Sequence, residues 1–171
     1  GSSINKIKEA LHVFYPTSQY LPGRMNLFKF PHCQIMVDYA HNESAFCELK
    51  NYLESIHCTK KIGIIGAVGD RRDEDIEKLG FHAASMFDEI VIRHDQDGRG
   101  RVPHEINRLL VAGILRSEFK PSLNIISDEL VAIEHVFVTS RTLPSSTRTF
   151  QLHSQQNNIF TPFPRLSRGQ L

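Results

Sequence analysis

The sequence predicts an α/β fold, a mostly parallel β-sheet flanked by helices. Three observations lead there. Apolar runs of strand length alternate with amphipathic stretches of helical length. One run, Ile62-Gly63-Ile64-Ile65, has no polar side, the mark of a strand covered on both faces. The stretches between runs repeat apolar residues every three to four positions, the helical period. Strands alternating with helices close through right-handed crossovers, which make neighbouring strands parallel.

The elements follow in order. Ile4 to Phe14 is expected to be helical, with Ile7, Leu11 and Phe14 on one stripe and Pro16 ending it. Leu21 to Met25 reads as a loop around Pro22-Gly23, and Asn26 to Phe30 as a strand closed by Pro31. Four strand-then-helix units come next. Gln34 to Tyr39 is expected as a buried strand. Asn42 can cap a helix in which Ala45, Phe46, Leu49, Leu53 and Ile56 share a face. Lys61 to Val68 holds the second strand, and Asp73 to about Met86 its helix. Glu89 to Arg93 is the third strand. Pro103 suits the first turn of a helix reaching about Leu115. Leu123 to Ser127 is the fourth strand, and Asp128 starts a helix reaching about Val136.

Composition narrows the function classes. With 171 residues, 40% hydrophobic and 23% charged, the chain suits one globular domain. No apolar run approaches a membrane span, and no charged start with an apolar core marks a secretion signal. Cys33, Cys47 and Cys58 form no CxxC pair; an odd count without a signal points to a reducing, cytoplasmic setting. His32-Cys33 and His57-Cys58 lack ligand spacing, so no metal site is expected. The first residue is Gly1, and the chain reads as an excised fragment. From Ser140 onward there is no acid and there are four arginines; removing these from the net +1 leaves residues 1–139 at −3. That body is no nucleic-acid binder. Residues 140–171 show no period and read as an irregular tail.

In parallel sheets ligands gather beyond the carboxyl ends of the strands. Four polar constellations are expected at or near that edge. Pro22-Gly23-Arg24-Met25-Asn26 puts an arginine on a turn, where it can fork onto a phosphate. Asp38-Tyr39-Ala40-His41-Asn42 lies between strand and helix; its acid can accept from a ribose hydroxyl, and its histidine can lie on a base or donate to a phosphate. Gly66-Ala67-Val68-Gly69-Asp70-Arg71-Arg72-Asp73 lets backbone N–H groups approach an anion, yet it matches neither complete phosphate-loop pattern. His94-Asp95-Gln96-Asp97-Gly98-Arg99-Gly100-Arg101 offers acids and arginines to a zwitterion. Taken singly, each also reads as an ordinary charged loop or helix cap.

In order and spacing, the four together resemble the C-terminal domain of the Mur ligase family, a Rossmann-like fold. The resemblance covers about residues 1–138. The cyanophycin synthetase branch is the most similar at Asp38–Asn42, at Gly69–Asp75, and at Asp95 with Arg99-Gly100-Arg101. The resemblance implies an ATP-dependent amide ligase in which Arg24 touches nucleotide phosphate, Asp38 the ribose, and His41 lies at the nucleotide. Arg71 and Arg99 match arginines that meet the incoming amino acid in the diaminopimelate-adding relative.

The candidate residues are therefore Arg24 and His41 for catalysis, Arg24, Asp38, His41 and Asn42 for ATP, and Asp70, Arg71, Asp95, Asp97, Arg99 and Arg101 for substrate. The resemblance further implies that residues 1–20 are an opening helix and linker from a central ATPase domain of the same chain. That domain would hold most of the Mg2+ contacts. The remaining partners are a small amino acid and a peptide acceptor, with homo-oligomers compatible and no nucleic acid or membrane. In the cyanophycin branch the amino acid is arginine and the acceptor an aspartate side chain. A peptidoglycan-precursor ligase and a non-catalytic ligand-binding α/β module are the alternatives. Two departures stand out. Glu43 replaces the family's usual proline, which is expected to change only the helix start, and residues 140–171 do not resemble the family's last strand.

Overall fold

The computed structural model describes residues 3–14, 17–31, 33–94 and 98–142. The chain forms α1 (Ile4–His12), β1 (Asn26–Lys29), β2 (Gln34–Val37), α2 (Glu43–Glu54), β3 (Ile62–Ile65) and α3 (Asp73–Ala84). It continues through β4 (Glu89–Ile92), α4 (Pro103–Arg116), β5 (Ser122–Ile125) and α5 (Glu129–Thr142). Strands β3, β4 and β5 make a parallel sheet in that order, with Ile62 opposite Glu89 and Glu89 opposite Ser122. The expected α/β class is what the chain adopts. Asp95 and Asp97 lie outside the described residues, as does the tail from residue 143 on.

The first strand–helix unit departs from expectation. β2 pairs antiparallel with β1, Asn26 opposite Val37, in a separate two-stranded sheet. The reason is length. Only residues 30–33 join the two strands, and Phe30 N–H donates to Cys33 O at 2.8 Å. So short a link permits a hairpin, whereas a parallel partner needs a crossover of a dozen or more residues. α5 also runs past Val136 to Thr142.

Strand alternation sorts the core into two halves. Ile62 and Ile64 of β3 and Val91 of β4 meet Ala132 and Val136 of α5 on one face. On the other, Ile65, Ile90 and Ile92 pack with Phe46, Leu49 and Leu53 of α2, Ile76 and Leu79 of α3, and Leu109, Leu110 and Ile114 of α4. All four residues of β3 and of β4 are buried, as their unbroken apolar runs require. Helices α3 and α4 approach closely enough that a Cβ on Gly80 would collide with the Leu110 carbonyl. One on Gly113 would collide with that of Glu77. α1 differs: none of its residues is buried, and Ile4, Ile7 and Leu11 stand exposed.

A buried charge sits at the amino edge of β4. Glu89 is 5% exposed. It accepts from Lys60 Nζ at 2.7 Å and from Asn124 Nδ2 at 3.1 Å, with His135 Nε2 at 3.4 Å. Burial pushes its carboxyl upward, but the Lys60 ammonium and His135 outweigh that and hold it below the ordinary glutamate value. No described helix is long and apolar enough to cross a membrane.

Candidate functional site

The site begins at the turn before β1. Gly23 (φ 72°) and Met25 (φ 50°) are both left-handed, and for methionine that conformation carries strain. Two side chains hold the turn. Asn26, buried to 1%, accepts from Gly23 N–H at 2.7 Å and donates through Nδ2 to the Leu21 and Arg24 carbonyls at 3.0 Å each. Asp38, at the end of β2, accepts from Met25 N–H at 2.8 Å. The backbone under Arg24 is thus fixed from two sides, while its side chain projects into solvent. The Arg24 guanidinium lies over the Tyr39 ring, 4.8 Å from its centroid.

The segment after β2 continues the line. Tyr39 and His41 rings stand 4.8 Å apart at 56°. His41 Nδ1 lies 2.9 Å from the Tyr39 carbonyl. That contact needs the proton on Nδ1 and leaves Nε2 as an acceptor in the neutral ring. Asn42 caps α2, its Oδ1 accepting from Ala45 N–H at 2.9 Å. Glu43, in place of the family's proline, does more than start the helix. It accepts from Lys78 Nζ at 2.9 Å, with His82 Nε2 at 3.4 Å, and so ties α2 to α3. The hydrogen bonds from Lys78 and His82 hold its carboxyl below the usual range.

His41, Asn42, Glu43 and Ser44 form one wall of a cavity of about 330 Å³; Arg71, Asp75, Lys78 and Leu79 form the other. Asp75 is forked by Arg72, whose Nε and Nη2 donate at 2.9 Å each, and this lowers its pKa. Arg71 is different. Its Nε is buried with no partner, and no described residue accepts a hydrogen bond from its guanidinium. A guanidinium without a hydrogen-bond acceptor among the described residues, its charge felt by Asp70 and Asp75, lies beside the amino end of α2, so positive potential from two sources meets in one place.

The remaining candidates latch two loops together. Arg99 Nη1 donates to Asp70 Oδ2 at 2.9 Å, and this hydrogen bond holds the Asp70 carboxyl below its ordinary value. Arg101 lies 2.6 Å from Asp73 and donates to the Arg71 carbonyl at 3.0 Å. Gly69 has no room for a Cβ, because the Gly98 carbonyl sits against it. Asp70 and Arg99 therefore serve each other in this state, and Arg101 serves Asp73. Asp38 and Asn42 likewise spend an oxygen each on backbone N–H groups. Of the expected residues, Arg24 and Arg71 keep guanidinium donors without a hydrogen-bond acceptor among the described residues, and His41 offers Nε2 as an acceptor.

Sequence reasoning passed over Asn26, Tyr39 and a polar group at the end of β4. Arg93, 4% exposed, donates to the His94 carbonyl at 3.1 Å and lies 3.7 Å from Glu129. Asn107 of α4 meets His94 Nε2 at 2.6 Å, and its Oδ1 is buried without a partner. Asn26 and Tyr39 sit inside the quoted motifs, so the signal was present. Nothing local distinguishes Arg93 from an exposed strand-end arginine.

Comparison with known proteins identifies the family and the fold. Residues 23–142 match the family "Mur ligase, glutamate ligase domain". The cyanophycin synthetase of Synechocystis sp. is 36% identical over 133 residues, 78% of this chain and 15% of that protein. The UDP-N-acetylmuramyl-tripeptide synthetase of Treponema pallidum is 27% identical over 77% of the chain and 25% of its own length. The chain thus spans only a small part of the relatives it matches. Among solved structures, FolC of E. coli in complex with DHPP and ADP superposes with a TM-score of 0.66 over 91% of this chain and 32% of its own, at 16% identity. A UDP-N-acetylmuramoyl-L-alanyl-D-glutamate–2,6-diaminopimelate ligase gives 0.64 over 87% of this chain and 31% of its own, at 19% identity. By its family match and by its fold, the chain belongs to the Mur ligase family and carries that family's glutamate ligase domain.

Proposed function

We propose that this chain is the C-terminal, nucleotide- and amino-acid-contacting domain of a longer ATP-dependent amide ligase of the cyanophycin synthetase kind. It would add arginine to an aspartate side-chain carboxylate. The observation that carries the reading is Arg71, a guanidinium with a buried, partnerless Nε on a cavity walled by His41 and the start of α2. A carboxylate or phosphate satisfies such a group, and an apolar ligand does not. In this reading Arg71 takes the carboxylate of the incoming amino acid. Arg24 and His41 face the nucleotide; Asp70, Arg99 and Arg101 serve the amino acid beside Arg71, and the acids Asp95 and Asp97 are proposed for its guanidinium.

The described residues fit ATP at this edge: the guanidinium of Arg24 has no hydrogen-bond acceptor among them and rests on the Tyr39 ring. When bound, ATP supplies the phosphoryl group that converts a carboxylate to an acyl phosphate, which an amine then opens. The chain's own residues bind and orient; charge developing on a transferred phosphoryl group calls for donors already in place. The sequence holds no complete phosphate loop, so that part falls to an ATPase domain joined through residues 1–20, with Mg2+ held mainly there. The similarity to cyanophycin synthetases, at 36–37% identity, favours arginine over a diamino acid.

The test has two arms. Residues 1–171 alone, given ATP, arginine and an aspartyl-arginine primer, release no phosphate. The full-length ligase, offered arginine, lysine and diaminopimelate in parallel, prefers arginine by kcat/KM, and Arg71→Ala raises the arginine KM. Preference for diaminopimelate removes the cyanophycin reading and leaves the family untouched.

A further inference from the structure

We propose that Tyr39 is a positioning residue for Arg24: its ring face sets the plane of the guanidinium, so that the N–H fork is already aimed when nucleotide arrives. The inference rests on the reading above, in which Arg24 meets a phosphate, and adds a residue to it.

Three facts on this edge support it. First, the backbone on either side of Arg24 has no freedom to aim the side chain. Asn26 accepts from Gly23 N–H and donates to the Leu21 and Arg24 carbonyls, and Asp38 takes Met25 N–H. Any aiming must therefore be done at the side chain. Second, Arg24 has no hydrogen-bond acceptor among the described residues; the Tyr39 ring at 4.8 Å is what it touches. Third, Tyr39 is itself held. Its backbone carbonyl meets His41 Nδ1 at 2.9 Å, and its ring packs against the His41 ring.

The geometry of the two groups makes this a productive contact. A cation over an aromatic ring is held by its face. A guanidinium's donors lie in its plane, at its edges. A guanidinium laid flat on the ring would thus spend only what phosphate recognition does not use, and the arginine could fork onto an anion without leaving the ring. A carboxylate partner would have done the opposite, consuming the fork and requiring an ion pair to break before phosphate could bind.

The experiment uses the full-length ligase. Tyr39→Leu should lower kcat about threefold to fivefold, the range an exposed cation–π contact is worth, with the amino-acid KM unchanged. Tyr39→Phe and Tyr39→Trp keep a ring face and should restore the wild-type rate; Tyr39→Met groups with leucine, and replaces it if the leucine variant does not fold. In an Arg24→Ala background Tyr39→Leu should have no further effect, since the residue acts through the arginine. The proposal is overturned if Tyr39→Leu turns over at or above the wild-type rate, if the rate follows side-chain size or the hydroxyl instead of the ring, or if the Arg24→Ala and Tyr39→Leu losses multiply. An Arg24→Ala enzyme with wild-type kcat overturns the phosphate role of Arg24 as well, and so separates failure of the underlying reading from failure of this step.

Discussion

Replacing Asp38 by alanine removes the acceptor of the Met25 N–H and frees a turn that is strained at methionine. A hydrogen bond to a charged group contributes about 1.5–3 kcal/mol. This one is exposed, so water replaces part of it, and the lower end, about 1.5 kcal/mol, applies. For a chain of this size each kcal/mol moves Tm by about 2–4 °C, so Asp38→Ala should melt about 3–6 °C below the parent. Asp38→Asn keeps an amide oxygen that can accept from the same N–H and should fall between. Met25→Gly relieves a left-handed conformation that costs an L-residue about 1–2 kcal/mol and should melt higher. In the double variant it should recover much of the loss. The assay is thermal and urea unfolding of residues 1–171, followed by circular dichroism. If Asp38→Ala melts within about 1 °C of the parent and Met25→Gly gains nothing, the acid does not hold the turn. It would then be free for the ribose role that the family resemblance implies.

Three further outcomes are expected. Gly113→Ala should lower stability by about 2 kcal/mol in urea titration: the added Cβ would meet the Glu77 backbone carbonyl, so the upper end of an overpacking cost of about 1–3 kcal/mol applies, and alanine returns about 1 through helix propensity; a neutral result would mean α3 and α4 are not in backbone contact. Glu89→Gln should destabilise the chain at neutral pH. Because the folded carboxyl is held below its ordinary value of 4.5, that stability is present above the value and lost as pH falls through the lower folded one; melting curves of parent and variant should therefore converge in acid, and a gap independent of pH would refute it. Truncation after Thr142 should leave the melting temperature within about 2 °C, because the described core residues, Ser140 included, precede the cut; unfolding would assign the tail a share of the core.

Much of the fold was legible because it rests on local chemistry. The Asn42 cap, the Phe46–Leu49–Leu53 stripe, the apolar β3 and Pro103 at the start of α4 each report their own element through period or backbone preference. Strand pairing is not local in that sense. Gln34 to Val37 looks like any buried strand, and its antiparallel partner follows only from the short link at residues 30–33. The candidate site was legible as a set of loops but not as a set of roles. Charge tells that Asp70, Arg71, Arg72, Arg99 and Arg101 lie near one another; it does not tell which pairs form. Asp70 with Arg99, Asp75 with Arg72 and Asp73 with Arg101 satisfy themselves, leaving Arg71 over. Which cation is left without a partner depends on ångström-scale geometry between segments about thirty residues apart. Glu43 shows the same limit: its sequence neighbours mark a helix start, while its partners Lys78 and His82 come from the next helix.

The glycine contacts between α3 and α4 have a mechanical consequence. Arg71 lies two residues before the first of these helices, and Arg101 two before the second. With Gly80 and Gly113 letting main chain rest on main chain, no layer of side chains remains between the helices to shear, and the Arg101–Asp73 bridge pins their leading ends. The pair is a single plank carrying both loops at one end. Any displacement of Arg71 therefore takes Arg101 with it, as a boom takes whatever is fixed along it, and the spacing between the two is preserved throughout the stroke.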